Sequence, residues 1–315
     1  MKVDISEILP SLHVVRLPLI TRFRGIEERE VALFEGPFGW GEFSPFLEYD
    51  ARESSKWLAA GIEAAFQPPL ETFRKSVQIN ATLPALDDLD AIPALLGRYP
   101  GAQTVKMKMT TDSKANLARM EKVRQFDPGM RIRLDVNGAW SVDRAVAFLE
   151  PIAHEIEYVE QPCESLEELR ELKSRIDVKV AVDEIVRKSE DPIALDLAGA
   201  ADVIILKSSP LGGNRAAIEI AAHHKLPVVV SSALESAVGI SQGLELAASL
   251  EGLDRASGLA TGALFVTDVG MHLIEDGAID VKRISPVSLE RLTVESERYR
   301  WWENRIRESH EVLFG

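Results

Sequence analysis

Five short apolar runs in the middle of this chain each carry ionisable residues at or just after their end. They are Lys106 and Lys108 in Val105-Lys-Met-Lys-Met, Asp135 in Ile132-Arg-Leu-Asp-Val-Asn, Glu160 in Tyr158-Val-Glu-Gln-Pro, Asp183 in Val180-Ala-Val-Asp-Glu, and Lys207 in Val203-Ile-Ile-Leu-Lys. Three acids with no histidine or cysteine beside them suit a hard cation, and Mg²⁺ above all, with Mn²⁺ as a substitute. Lys106 and Lys108 stand two apart on a strand and so point to one side. If that side is enclosed, desolvation and the neighbouring like charge lower a lysine's pKa toward the range of a general base. Lysines and cation together suit removal of the α-proton of a small-molecule carboxylate, with the cation offsetting the enediolate charge.

The spacing says which elements hold these residues. From Lys108 the steps are 27, 25, 23 and 24 residues (135−108, 160−135, 183−160, 207−183). That is about one strand plus one helix per step, the length of a βαβ unit. In a parallel barrel the C-terminal strand ends face one mouth, so the pattern puts three acids between two sets of lysines round one pocket. A strand-terminal acid taken alone is more often merely solvated. Three in register change that reading.

Counting from Val77 predicts eight strands: Val77–Ala81, Val105–Met109, Ile132–Val136, Tyr158–Glu160, Val178–Val182, Val203–Leu206, Val228–Val230 and Leu259–Phe265. Helices are expected at Ala91–Gly97, at Ser113–Phe126 with Leu117, Met120 and Val123 on one face, and from Ser141 to Leu149. Others follow the Ser165 capping box and lie near Asp191–Leu197, Arg215–His223 and Ser236–Leu250. Residues 1–76 break this rhythm. They read as an α+β unit with strands near Ser11–Leu19, Arg29–Glu35 and Trp40, then a helix from Glu53 to Phe66. Residues 77–280 make the barrel, and 281–315 a charged, Trp-rich segment expected to pack back on the first unit.

Bulk properties narrow the function classes. A net charge of −14 speaks against nucleic acid or an anionic membrane as partner, and favours a divalent cation as guest. The lone Cys163 excludes an internal disulfide and fits a reducing compartment. No run approaches the ~18 apolar residues of a membrane span, and the first residues carry acids where a signal peptide has its apolar core. A cytoplasmic protein is expected, its oligomeric state left open. No zinc-protease, Cys-x-x-Cys, phosphate-loop or dinucleotide motif is present.

Taken in order, Lys106-x-Lys108, Asp135-x-Asn137, Glu160-x-Pro162, Asp183-Glu184 and Lys207 followed by Gly212-Gly213 resemble the muconate-lactonizing-enzyme-like branch of the enolase superfamily. The resemblance spans essentially the whole chain. It implies an α/β fold, a modified TIM barrel (β/α)₇β with an N-terminal α+β capping domain completed by the C-terminal tail. It further implies Asp135, Glu160 and Asp183 as Mg²⁺ ligands and Lys108 as base. Lys207 would be the opposing acid/base or electrostatic partner, and Lys106 would help set the pKa of Lys108. The short chain, Arg22-Phe-Arg-Gly and Arg131-Ile-Arg-Leu-Asp-Val-Asn-Gly-Ala-Trp140 are most similar to the shorter o-succinylbenzoate synthases, a family of menaquinone synthesis. Their reaction dehydrates 2-succinyl-6-hydroxy-2,4-cyclohexadiene-1-carboxylate to 2-succinylbenzoate.

An N-acylamino-acid racemase or dipeptide epimerase uses the same scaffold and the same two lysines. Relatives of that kind often carry an arginine where this chain has Pro210. A non-catalytic barrel that binds a partner is the alternative of another class, and it leaves the filled lysine and acid positions unused.

Weaker candidates surround this set. Ser232, in Ser231-Ser-Ala-Leu-Glu-Ser236, can meet substrate or cap a helix. Gly212 and Gly213 can let the backbone approach substrate or simply turn. Arg24, in a loop with Arg22 and Phe23, can close over the site and recognise a carboxylate, or face water. Arg133 shares a strand face with Asp135 and can buttress it, and Asn137 can do the same. Glu184 can pair with Lys106 or Lys207, or meet solvent.

Overall fold

A computed structural model describes all residues, 1–315. A one-turn helix α1 (Ile5–Ile8) leads into an antiparallel sheet of β1 (His13–Phe23), β2 (Ile26–Gly36) and β3 (Gly39–Phe43). Arg24 and Gly25, both at positive φ, form the two-residue turn between β1 and β2, the geometry that matches strand twist in a hairpin. Helix α2 (Ala51–Phe66), capped by Asp50, covers this sheet with Trp57, Leu58 and Ile62.

The barrel runs from β5 (Ala81–Leu83) through α3 (Ile92–Leu96), β6 (Thr104–Lys108), α4 (Ser113–Phe126), β7 (Arg131–Asp135), α5 (Val142–Leu149), β8 (Ile156–Glu160), α6 (Leu166–Arg175) and β9 (Val180–Val182). It continues through α7 (Glu184–Arg187), β10 (Val203–Leu206), α8 (Ser208–Leu211), α9 (Asn214–His224), β11 (Val228–Val230) and α10 (Ala237–Ser249). Seven parallel strands pair in sequence order from β5 to β11. Strands alternate their faces. Ile204 and Leu206 therefore join the layer under the helices, while Tyr158, Ala181, Val203, Ile205 and Val229 fill the barrel interior.

Four expectations are corrected. The first predicted strand is two. Ser76–Gln78 (β4) pairs antiparallel with a hairpin of β12 (Ile274–Glu275) and β13 (Ala278–Asp280), and only Ala81–Leu83 pairs with β6. The eighth strand is reduced to Ser257 and Gly258, which bridge Ile79 and Ser231 and so close the ring. A Cβ on Gly258 would lie 2.5 Å from Ser231 Oγ, so a larger residue would have to displace that hydroxyl, and Thr261–Leu264 turn away as a 3₁₀ helix. No helix forms at Asp191–Leu197. There the Asp191 carboxylate accepts from the amides of Ile193 and Ala194 in a local turn that is not continued as a helix. Leu117 is exposed, and α4 instead buries Asn116, Arg119, Met120 and Val123.

The chain ends with α11 (Leu289–Leu292) and α12 (Ser296–Phe314), which return to the first sheet. Trp302 sits in the same core as Phe34, Phe43 and Trp57, and its Nε1 donates to Glu30 at 2.8 Å. Arg305 donates to the carbonyls of Phe46 and Tyr49. No helix is long and apolar enough to cross a membrane.

Two carboxylates of the N-terminal unit lock it to the barrel by capping barrel helices. Glu63 on α2 accepts from the Asn214 amide at 2.7 Å, at the start of α9. Glu42 on β3 accepts from Ser236 Oγ at 2.6 Å and the Gly239 amide at 3.0 Å, at the start of α10. Both use the partial positive charge of a helix N-terminus. Gly213 is required here, for its φ is +121° and a Cβ would sit 2.7 Å from Glu63 Oε2. Gly213→Ala is expected to cost about 2 kcal/mol through the strained backbone and the displaced carboxylate, read from denaturant unfolding. Burial, reinforced by the nearby Glu235, pushes the Glu42 carboxyl up to about 7 from 4.5. The folded protein then holds a proton that the unfolded chain releases between those values, so this group's contribution to stability falls as pH rises from about 4.5 to about 7. Glu42→Gln is expected to flatten that part of the stability profile.

Candidate active site

Strand register assembles the site. Lys108 pairs with Asp135 across β6 and β7, and Asp135 with Glu160 across β7 and β8. Each inward residue two positions earlier packs a layer deeper, so Lys106 lies beneath Lys108 and Arg133 beneath Asp135. Asp183 follows β9 and Lys207 follows β10, on the inward side in both cases. Gln161 fixes the β8 and β9 ends, its Oε1 accepting from the amides of Asp183 and Ile185 and its Nε2 donating to Cys163 O.

The five stations form two ion-pair groups, one of Lys106, Lys108, Asp135 and Glu160 and one of Asp183 and Lys207, which Asn137 links through Lys108 and Glu184. Lys106 Nζ lies 2.9 Å from both Asp135 Oδ2 and Glu160 Oε1, Lys108 Nζ 2.6 Å from Asp135 Oδ2, and Lys207 Nζ 2.5 Å from Asp183 Oδ2. The acids lean on ammonium groups and are not gathered round a common point. Two of their oxygens, Asp135 Oδ1 and Asp183 Oδ1, are nevertheless buried without a hydrogen-bond partner. A buried acceptor left unpaired is costly. Hard oxygens without nitrogen or sulfur donors fit a Mg²⁺-type cation and fit a softer metal poorly.

Electrostatics separates the two lysines of β6. Burial disfavours charge on both. For Lys106 the carboxylates of Asp135 and Glu160 overcome burial and hold its pKa well above the usual value. For Lys108 burial, with Lys106 as a like-charged neighbour, wins over Asp135 and lowers it. Among the acids, burial and the adjacent Asp135 push Glu160 up to about 7. Burial is outweighed by Lys207 and Arg187 at Asp183, which falls to about 2. Asp135, between two lysines that overcome its burial, is lowered strongly.

The weaker candidates divide. Asn137 meets Lys108 and not Asp135: its Oδ1 accepts from Lys108 Nζ at 2.9 Å, and its Nδ2 donates to Glu184 at 3.1 Å. Arg24 and Ser232 both line the pocket. Ser232 Oγ is engaged with Gly258 O and Thr261. Three readings are corrected. Arg133 does not touch Asp135; one layer down it binds Glu157, Asn80 and the Ala256 carbonyl, stitching β7 to β8 and to the barrel seam. Gly212 and Gly213 do not line the pocket but terminate α8 and start α9 against Glu63. Glu184 pairs with Arg187 and Asn137, not with a lysine.

Residues that the sequence pattern passed over complete the pocket. Arg187 lies 3.5 Å from Asp183 and 3.0 Å from Glu184. Tyr49 OH accepts from both Arg187 and Arg24 at 3.2 Å, joining the N-terminal hairpin to the barrel mouth. Phe46 carries the Arg24 guanidinium 4.0 Å from its ring centre. None of these sits on the strand-end rhythm. Their only signal is the aromatic cluster of Phe46-Leu-Glu-Tyr49. A larger groove of about 690 Å³, lined by Ile240, Phe265 and Met271, lies away from the lysines and acids.

Comparison with known proteins agrees with this geometry. Residues 14–65 match the enolase N-terminal domain-like family and residues 95–285 the enolase C-terminal domain-like family. The o-succinylbenzoate synthase of Mycobacterium marinum is 46% identical over 98% of this chain and 96% of its own length. That of Mycolicibacterium smegmatis is 44% identical over 98% of each. Solved structures with the same fold include the N-succinyl Arg/Lys racemase of Bacillus cereus, with TM-score 0.74 and 20% identity over 90% of this chain and 97% of that one. The muconate lactonizing enzyme of Pseudomonas putida superposes with TM-score 0.72 at 16% identity, over 90% and 98%. Matched by family over both its parts, and by these relatives along nearly its whole length, the chain belongs to the enolase superfamily and, within it, to the o-succinylbenzoate synthase family.

Proposed function

We propose that this protein is an o-succinylbenzoate synthase, a Mg²⁺-dependent carbon–oxygen lyase acting in menaquinone biosynthesis. It dehydrates 2-succinyl-6-hydroxy-2,4-cyclohexadiene-1-carboxylate to 2-succinylbenzoate through an enediolate. The observation that carries this reading is the strand register that sets Lys108 beside Asp135 and Asp135 beside Glu160.

Asp135, Glu160 and Asp183 would hold the cation, with Mn²⁺ as a substitute. When bound, it supplies positive charge that stabilises the substrate carboxylate as negative charge develops there. Lys108 is the base. Burial and the neighbouring Lys106 favour its neutral form, the form able to take the α-proton. The C–H electron pair moves into the ring, and the ammonium so formed returns its proton to the departing hydroxide. The products are water and the aromatic ring. Lys106, held charged by Asp135 and Glu160, supplies the like charge that joins burial in lowering the pKa of Lys108. Lys207 faces the pocket from β10 and stabilises the anion from the other side. Arg24 and Ser232, on the pocket lining, are the groups placed to meet the rest of the substrate.

The same reading treats residues 1–76 with 281–315 as the capping unit and 77–280 as the catalytic barrel. The return of α12 to the first sheet supports that division. A cytoplasmic location accords with the single, buried cysteine.

Purified protein with Mg²⁺ should consume the cyclohexadiene carboxylate, read as loss of diene absorbance. Lys108→Ala should lower the rate by about 10²–10⁴-fold, the usual weight of a general base. Wild-type protein that leaves the diene untouched overturns the assignment. Exchange of the α-proton of N-succinyl amino acids in deuterium oxide would then test racemisation, which both lysines could also serve. For the cation, Mg²⁺ alone should raise the melting temperature by a few degrees, since a ligand bound only to the native state stabilises it. Asp183→Asn should erase that increase, and an undiminished shift in the variant would remove Asp183 from the cation site.

A further inference from the structure

Arg29 takes no part in the chemistry above, yet two walls of the pocket converge on it. It rises from β2 and is only 2% exposed. Its Nη2 donates to Ser44 O, and its Nε donates to Leu234 O at 3.2 Å. Its guanidinium lies 4.2 Å from the centre of the Phe46 ring, the ring that also carries Arg24. Phe46 and Leu234 both line the pocket, one from the capping domain and one from the loop after β11.

Leu234 is conformationally unusual. Its φ is +65° while its side chain is 1% exposed, so a branched, buried residue occupies the left-handed region. L-residues with a Cβ avoid that region unless the surroundings enforce it. Three bonds enforce it here. Arg29 holds the Leu234 carbonyl, Glu235 accepts from the Ala233 amide at 2.5 Å, and Glu42 accepts from Ser236 Oγ. Two of these three groups, Arg29 and Glu42, come from the capping domain and reach across to a barrel loop.

We propose that Arg29 is a positioning residue for substrate binding. Through the Leu234 carbonyl and the Phe46 ring it fixes two faces of the pocket relative to each other, and it keeps Leu234 in the conformation that shapes the wall at Ser231–Leu234. Arg29 touches no reacting atom. Lys108 and Lys207 are held by barrel strands and by their carboxylates, so loosening this wall weakens binding while leaving the proton-transfer groups in place.

The inference rests on the synthase reading, and the test separates the two. In Arg29→Met the apolar stem remains and both donors are lost. KM for the diene, and Kd for 2-succinylbenzoate by calorimetry, should each rise by about tenfold, the weight of one hydrogen bond from a charged group. The value of kcat should stay within about threefold. Arg29→Lys, which keeps the charge and one donor, should recover part of the affinity, and carries the test if the methionine variant fails to fold. Leu234→Gly needs no enforcement at positive φ, so Arg29→Met made in that background should cost less affinity than in the wild type. An active wild type whose KM and Kd are unchanged in both Arg29 variants overturns the inference. So does a loss confined to kcat, or an equal cost in the two backgrounds. A wild type inactive on the diene refutes the synthase reading instead.

Discussion

The barrel interior must keep three lysines and three carboxylates where water is scarce. Lys106, Asp135, Glu160 and Asp183 are all nearly inaccessible. Any one of them alone would lose its charge or open the fold. Together they are tolerable because each ammonium has a carboxylate within 3 Å. The arrangement also sets the two lysines of β6 apart. Asp135 is shared between two lysines, so Lys106 takes the field of Asp135 and Glu160 while Lys108 retains burial as its dominant influence. Opposite shifts on adjacent lysines follow from one shared acid.

That interior dictates the barrel's construction. Alternation puts Lys106, Lys108, Arg133 and Asp135 on one side of their strands, and register rather than side-chain packing then decides who meets whom. Arg133 belongs to this logic as well. It spends its donors on Glu157, Asn80 and Ala256 O, bridging the layer beneath the catalytic one across a seam whose eighth strand has shrunk to Ser257 and Gly258. The capping domain contributes through hydrogen bonds too, since Glu42 and Glu63 reach into helix N-termini of the barrel and fix its position there.

Much of this was legible in the chain because strand ends in a βα barrel recur at a regular interval and carry their residue types openly. The short runs around Lys108, Asp135, Glu160, Asp183 and Lys207 needed no long-range information to be placed on one mouth. What escaped were residues whose role depends on contacts between distant segments. Nothing in Glu28-Arg-Glu30 sets Arg29 apart, yet it is buried against Phe46 and Leu234, the latter 205 positions away. Gly212 and Gly213 read more readily as a plain turn than as a substrate contact, but that Gly213 makes room for Glu63 of the other unit could not be read from the chain. The seam failed for a similar reason. Leu259–Phe265 is apolar enough for a strand, but ring closure needs the small residues just before it.

Charge balance ties the site to its proposed substrate. Lys106, Lys108, Lys207 and Arg187 face Asp135, Glu160, Asp183 and Glu184, so with every group ionised the pocket is neutral. A divalent cation added alone would leave two positive charges in a buried volume, which favours release of a proton from the most weakly held lysine. At Lys108 burial already opposes the charge, and its carboxylate partner Asp135 is shared with Lys106. A dicarboxylate entering with the cation restores the balance. A neutral substrate would not. The electrostatics of the interior therefore favours an anionic substrate beside the cation.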